Sequence, residues 1–231
     1  MFYFRINRIK IYDNGVNRLI KKLDKAQVIL VSFITTGDVG LPSLKEYLRE
    51  TDVAKKDALL ENAIKQVISS RVLTPVHNVK DMSELTFGPS GYSLYTSNEI
   101  PDNFNWQLVV IGSKQNIRDT ATMINDIISD DSFDTFKTGL KALLEAASVT
   151  NPVTAVVAAA IEIGQYIAGV TLKIYAKKKD DQLGLVYQSW NRTEHYPHGI
   201  RNKEGSVDLT NNMEYDYSMF GVETGILSTQ A

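Results

Sequence analysis

Two of the chain's three histidines stand three residues apart beside a carboxylate, in Glu194-His195-Tyr196-Pro197-His198-Gly199. Imidazole and carboxylate are zinc ligands, and imidazole is also the side chain best suited to move protons near neutrality. On a helix the spacing of His195 and His198 would bring both rings to one face. Pro197 and Gly199 mark the stretch as a loop instead, where spacing alone fixes nothing. The chemistry on offer is therefore a zinc site, a metal-dependent hydrolase built on Glu194, His195 and His198, or two surface imidazoles in a turn. His77 has no partner visible in the sequence.

Other clusters are less pointed. Asp126, Asp130, Asp131 and Asp134 could gather a hard cation through oxygen ligands, but they precede an apolar helical run, where acids cap a helix and complement its positive end. Gly88-Pro89-Ser90-Gly91 lacks the lysine and the following helix of a phosphate-binding loop. No nucleophile elbow, H-E-x-x-H, calcium-loop or dinucleotide fingerprint occurs. Among eleven tyrosines, Tyr92, Tyr95, Tyr196, Tyr215 and Tyr217 suit a ligand-binding surface, because tyrosine offers area and a hydroxyl at small entropic cost. They suit sheet packing equally well.

The elements that must position these residues follow from periodicity. Phe2, Phe4 and Ile6, then Ile9 and Ile11, alternate with polar residues and predict a half-buried strand with one phase slip near Arg8, which a bulge can absorb. Asp13-Asn14-Gly15 is a turn, and Gln27–Thr36 a more buried strand. Helices are predicted over Pro42–Glu50 and Val53–Ser70. Arg71–Val79 reads as a strand broken by Pro75, Gly88–Ser97 as a turn into a short strand, and Trp106–Gly112 as a buried strand. Asn116–Ser129 and Phe133–Val149 are helical by spacing.

Asn151–Lys179 is the longest apolar segment, with Pro152 at its first helical position and lysines at its end. Its polar residues Thr154, Glu162, Gln165 and Lys173 share one narrow stripe with Ala158 and Gly169. Glu162 near its middle disfavours a membrane span, so a central core helix is expected. With Phe133–Val149 it predicts an αα-hairpin. Gln182–Trp190 returns to strand, Asn191–Gly205 reads as a loop, and Val207–Leu209 and Met213–Phe220 close the chain. In the last of these Met213, Tyr215, Tyr217 and Met219 face one way. The expected fold is α+β: one domain over 1–231, an antiparallel β-sandwich of about eight strands, with helical insertions at about 41–70 and 116–179.

FRINRIKIYDN, the loop after it, and the closing VDLTNNMEYDYSMF resemble the outer strands of C2-type sandwich modules. The resemblance implies calcium bound by loop aspartates at one end, and through it an acidic membrane or a partner protein. Asp13, Asn14, Asp38 and Asp81 stand in the matching loop contexts. The family's Asp-x-Asp run does not occur in a loop here, and the helical insertions are not part of its usual form.

With 25 basic and 27 acidic residues, the net charge of −2 gives no global field for nucleic acid. Without cysteine there is no disulfide, thiol nucleophile or cysteine-bound zinc. The basic runs Arg18–Lys25 and Lys177–Lys179 are each followed by acids and read as solvated faces. The charged, alternating N-terminus is unlike a secretory signal, so a cytoplasmic location is expected. The function expected is a non-enzymatic binding module for a protein, a membrane surface or a glycan, possible Ca²⁺ assistance ranking above Zn²⁺. The alternatives are the metal-dependent hydrolase and an effector that inserts its 133–175 hairpin into a membrane.

Overall fold

The computed structural model describes residues 1–15, 25–36, 42–69, 76–113, 126–148, 152–176, 181–196 and 200–223. The expected helix over 116–125, the strand residues 71–75, the candidate ligands Asp38 and His198, and the basic residues Arg18, Lys21, Lys22 and Lys177–Lys179 lie outside them. In chain order the elements are β1 (Phe2–Ile11), β2 (Ala26–Thr36), α1 (Pro42–Arg49), α2 (Val53–Ser69), β3 (Val76–Val79), β4 (Ser83–Thr86), β5 (Tyr92–Ser97) and β6 (Asn103–Ser113). Then follow α3 (Phe133–Ser148), α4 (Pro152–Ala176), β7 (Asp181–Asn191), α5 (Arg192–His195), β8 (Ile200–Val207) and β9 (Met213–Gly221). The chain is thus mixed helix and sheet. The nine strands among the described residues exceed the eight or so expected, because β4 and most of β8 carry no apolar alternation to betray them.

All pairings are antiparallel and fall into two sheets. In one, β8, β9 and β1 run side by side, and the far edge of β1 is shared by β5 along Phe2–Ile6 and β4 along Arg8–Ile11. In the other the order is β3-β2-β6-β7. Alternation explains how the sheets meet. Phe2, Phe4, Ile6, Ile9, Ile11, Met213, Tyr215, Tyr217 and Met219 from the first share one buried cluster with Val28, Leu30, Phe104, Trp106, Leu108 and Trp190 from the second. The predicted slip in β1 is present: its burial pattern changes phase across Asn7 and Arg8, and its pairing with β9 skips there. Phe87 N–H donates to Asn7 O at 3.1 Å. Gly91, at φ +71°, lies so near that a Cβ would meet Asn7 Oδ1 at 2.4 Å and Ile6 O at 2.9 Å. The glycine-rich loop is therefore a crossing from β4 to β5 over the bulge.

The second sheet buries its other face, through Ile29, Val31, Phe33, Val109 and Ile111, beneath α1 to α4. On α4, Ala155, Val156, Ala159, Ala160, Ile163, Ile167 and Val170 are buried. Glu162, Gln165, Gly169 and Lys173 are exposed, as the stripe predicted. Instead of being enclosed on all sides, α4 is a covering layer. It packs on α3 with Phe136 and Tyr166 stacked at 3.9 Å, and Lys173 Nζ donates to both oxygens of Asp130 at 2.9 Å. Ser132 and Lys173 together hold the Asp130 carboxyl well below its ordinary range. Among the described residues no helix is long and apolar enough to cross a membrane.

On the outer face of the first sheet Arg8, displaced by the bulge, lies among three carboxylates. Its Nε donates to Asp216 at 2.7 Å, Nη1 to Glu84 at 2.5 Å, and Nη2 to Glu214. These bonds hold Glu214 below its ordinary value of 4.5; Asp216 is pushed up by burial, but Arg8 and the Gly205 N–H outweigh this and leave it below 3.8. A depressed carboxylate adds stability above its unfolded pKa and loses it as pH falls through the folded one. Arg8→Met should lower stability at pH 7 by roughly 1 kcal/mol after solvent screening, with the difference shrinking below pH 4. Urea unfolding at pH 7 and pH 3 checks both the sign and the pH dependence.

Candidate functional site

The edges of β7 and β8 lie on the same side of the molecule, one from each sheet. At one end the β8–β9 turn holds them together. Asp208, 5% exposed, accepts at Oδ2 from Leu185 N (2.8 Å), Thr210 N (2.9 Å) and Thr210 Oγ1 (2.5 Å), and at Oδ1 from Asn212 N (3.0 Å) and Met213 N (2.8 Å). Leu209 N–H adds a bond to Leu185 O at 2.8 Å. One buried carboxylate thus closes its own turn and ties the first sheet to β7 of the second.

At the other end an open cleft of about 670 Å³ is lined by Ser189 and Trp190 of β7, Glu194 of the turn after it, and Ile200 and Arg201 of β8. Its margin is α5, which replaces the start of the loop expected from Asn191. The reason is local: Asn191 accepts from Glu194 N–H at 3.1 Å, and the Glu194 carboxylate accepts from Asn191 N–H at 3.0 Å, a reciprocal cap. Arg192 N–H donates to Asp102 O at 2.7 Å, and its guanidinium donates to Ile100 O at 3.2 Å and to Glu223. Arg201 Nη1 reaches Glu194 O at 3.1 Å. A single helical turn is therefore tied to the start of β6, the end of β9 and β8.

The predicted zinc ligands do not converge among the described residues. Glu194 is exposed and occupied as a cap, while His195 is 1% exposed and points into the core, edge-on to Phe2 at 5.3 Å and near Phe104 at 6.5 Å. Neither ring nitrogen has a hydrogen bond of good geometry. The carbonyls of Asn191 and Pro101 lie near enough to favour the charged ring, yet burial outweighs them and leaves the imidazole below its ordinary 6.5. No group of three His, Asp or Glu side chains among the described residues could hold a metal ion.

The candidate calcium residues fare differently. Asp13, Asn14 and Asp81 do meet at one end of the first sheet, but to close turns. Asn14 N–H donates to Asp81 Oδ1 at 3.0 Å, Gly15 N–H to Asp13 Oδ1 at 2.9 Å, and Asn14 Nδ2 to Val79 O at 2.9 Å.

The five tyrosines do not form one surface. Tyr215 and Tyr217 are 1% and 3% exposed inside the core, where burial pushes both hydroxyls above their ordinary 10, and Tyr215 accepts from Gln188 Nε2 at 2.8 Å. Tyr95 packs on Phe104 at 5.5 Å. Tyr196 lies against Gly221, where a Cβ would stand 3.2 Å from its Cδ2. Tyr92 is 41% exposed on β5, well along the chain from the cleft.

The cleft itself was missed in the sequence, since β8 has no apolar period. The signal available was the Asn191-x-x-Glu194 spacing of a reciprocal cap. No protein-family model, no curated protein and no solved structure matches the chain.

Proposed function

We propose that the chain is a non-enzymatic interaction module that takes up an extended polypeptide along the side of the molecule bounded by the edge strands β7 and β8. One observation carries this reading. Both edge strands carry exposed large apolar side chains: Tyr187 (39% exposed) stands opposite Gln107 on the helix-facing side of β7, and Ile200 (63%) and Val207 (54%) stand opposite Phe220 and Glu214 on the outer side of β8, with Leu209 (66%) in the turn beyond and the cleft at one end. Apolar surface gathered at strand edges favours a backbone partner over a sugar or a lipid headgroup, because edge N–H and C=O groups are paired in register only by another strand. The irregularity of β8 between Lys203 and Ser206, with the lysine beside it, guards the middle of that edge against indiscriminate pairing. The ends of β7 and β8 beside the cleft are the stretches left for a ligand.

Within this reading the two sheets around one core form an antiparallel β-sandwich, and α3 and α4 an αα-hairpin. The likeness to C2-type modules is carried forward as strand arrangement alone. Its calcium step is not, because Asp13 and Asp81 already accept backbone N–H groups.

The test is selection of linear peptides from a displayed random library on the immobilised chain. Peptides of alternating apolar pattern should be enriched, with micromolar Kd, and lose at least tenfold in affinity against the Ile200→Asp, Leu209→Asp double variant, about 1.4 kcal/mol or more. No enrichment, or equal binding to the variant, contradicts the proposal.

A further inference from the structure

Among the side chains facing the core at the cleft, one is chemically out of place. The wall against which His195 lies is made of Phe2, Phe104 and, next to them, Tyr95. A phenylalanine there would bury no polar atom. An imidazole buried there with both nitrogens unpaired is unfavourable by the desolvation of its polar atoms. A buried polar group without a partner asks for a reason beyond packing. His195 is also the one buried residue of α5, so its ring is what anchors that turn to the core.

We propose that His195 makes α5 an acid-labile latch, whose release in mildly acidic solution frees the ends of β7 and β8 and opens the cleft between the sheets.

The surroundings compensate an imidazolium less than its burial costs it. On α5 itself Glu194 is committed to its cap and Arg192 is a cation. From the segment before β6, Asp102 lies 3.6 Å from Arg192, and from the end of β9, Glu223 is bound to the same guanidinium. Arg201 of β8 is a second cation, joined to Glu194 O. β5 presents Tyr95, and β1 carries the terminal amine of Met1, which donates to Val222 O at 2.6 Å. The carbonyls of Asn191 and Pro101 and, more weakly, the charge of Glu194 favour the charged ring, and burial with Arg192 outweighs them. Charging it therefore favours a state in which the ring has left the aromatic wall for water.

Release of His195 loosens every tie that α5 makes: Arg192 to the start of β6, Arg192 to Glu223, and Arg201 to Glu194 O. The Asp208 clasp at the far end does not depend on His195. The opening is thus hinged, local to one end, and independent of what the cleft binds.

The sign is fixed by linkage. The open state has an ordinary imidazole and the closed state one that resists protonation. The latch is fully shut above pH 6.5, and its opening constant rises as pH falls beneath that value, by about tenfold per pH unit until the closed-state value is reached.

The test is hydrogen exchange read by mass spectrometry on the whole chain between pH 7.5 and 5, corrected for intrinsic rates. Amides of residues 192–196 and 200–203 should exchange about tenfold faster per pH unit below pH 6.5, while those of Phe104–Ile111 stay protected. His195→Phe should abolish the acceleration with its fold intact. An unchanged acid response in that variant, or none in the parent chain, overturns the proposal. A variant-independent measurement stands beside it: with only three histidines, their ring resonances can be followed by NMR. The His195 ring should titrate below the others; titration as a free imidazole overturns the latch.

Discussion

Asp208→Ala is expected to destabilise the chain by roughly 3–4 kcal/mol in urea unfolding at pH 7. The carboxylate accepts five hydrogen bonds in a site 5% exposed, four of them from backbone N–H groups. A hydrogen bond to a charged group contributes about 1.5–3 kcal/mol, and each buried donor left unpaired loses about 1–3 kcal/mol more, though water entering the turn recovers part of the sum. Leu185 N–H on β7 loses its partner together with the turn, so the junction between the sheets weakens as well as the hairpin. Asp208→Asn should fall about halfway, because the amide keeps one acceptor and sets an NH₂ against the remaining donors. A loss under about 1 kcal/mol for Asp208→Ala would mean that the turn holds its shape without the carboxylate.

Trp106→Ala should remove about 3–5 kcal/mol and lower Tm by roughly 10 °C. The indole is fully buried on β6, 4.9 Å from Phe4 and 5.5 Å from Tyr215 across the inter-sheet core. It is also the partner of a buried hydroxyl: Nε1 donates to Ser32 Oγ at 3.0 Å. Truncation leaves a cavity facing both sheets and strips Ser32 of its donor. Trp106→Phe retains the edge contacts and should lose less than half as much, although it too orphans Ser32. If alanine is tolerated within 1 kcal/mol, the two sheets do not depend on this contact for their packing.

Where burial on one side repeats along an element, the sequence carried it. β1 shows both its alternation and the slip at Asn7–Arg8, because a bulged strand must change the phase of its apolar residues. α4 shows its exposed stripe at Glu162, Gln165 and Lys173 for the corresponding reason with a period of 3.6. β8 shows nothing, since its neighbour β9 is the last strand of that sheet over a covered face, and an overhanging edge selects no apolar period.

The tyrosines illustrate a second limit. Alternation placed Met213, Tyr215, Tyr217 and Met219 on one face, and all four are buried; what residue type could not tell was that Tyr215 and Tyr217 serve the core and not a ligand. His195 misleads for a related reason. In the one-dimensional chain it stands beside Glu194 and near His198, whereas the single turn of α5 sends Glu194 outward to its cap and the imidazole inward. Spacing within a short irregular stretch carries no face, so a pair of ligand-type residues there is not yet a site.

The most direct measurement of the binding face is hydrogen exchange on the whole chain at pH 7.5, with and without a peptide enriched by selection on it. Exchange should slow at residues 186–191 and 200–209, and not at Arg8 and Glu84 on the outer face of the first sheet. Protection confined to that outer face, or to the helical layer over α3 and α4, would contradict it and move the binding surface away from the edges of β7 and β8.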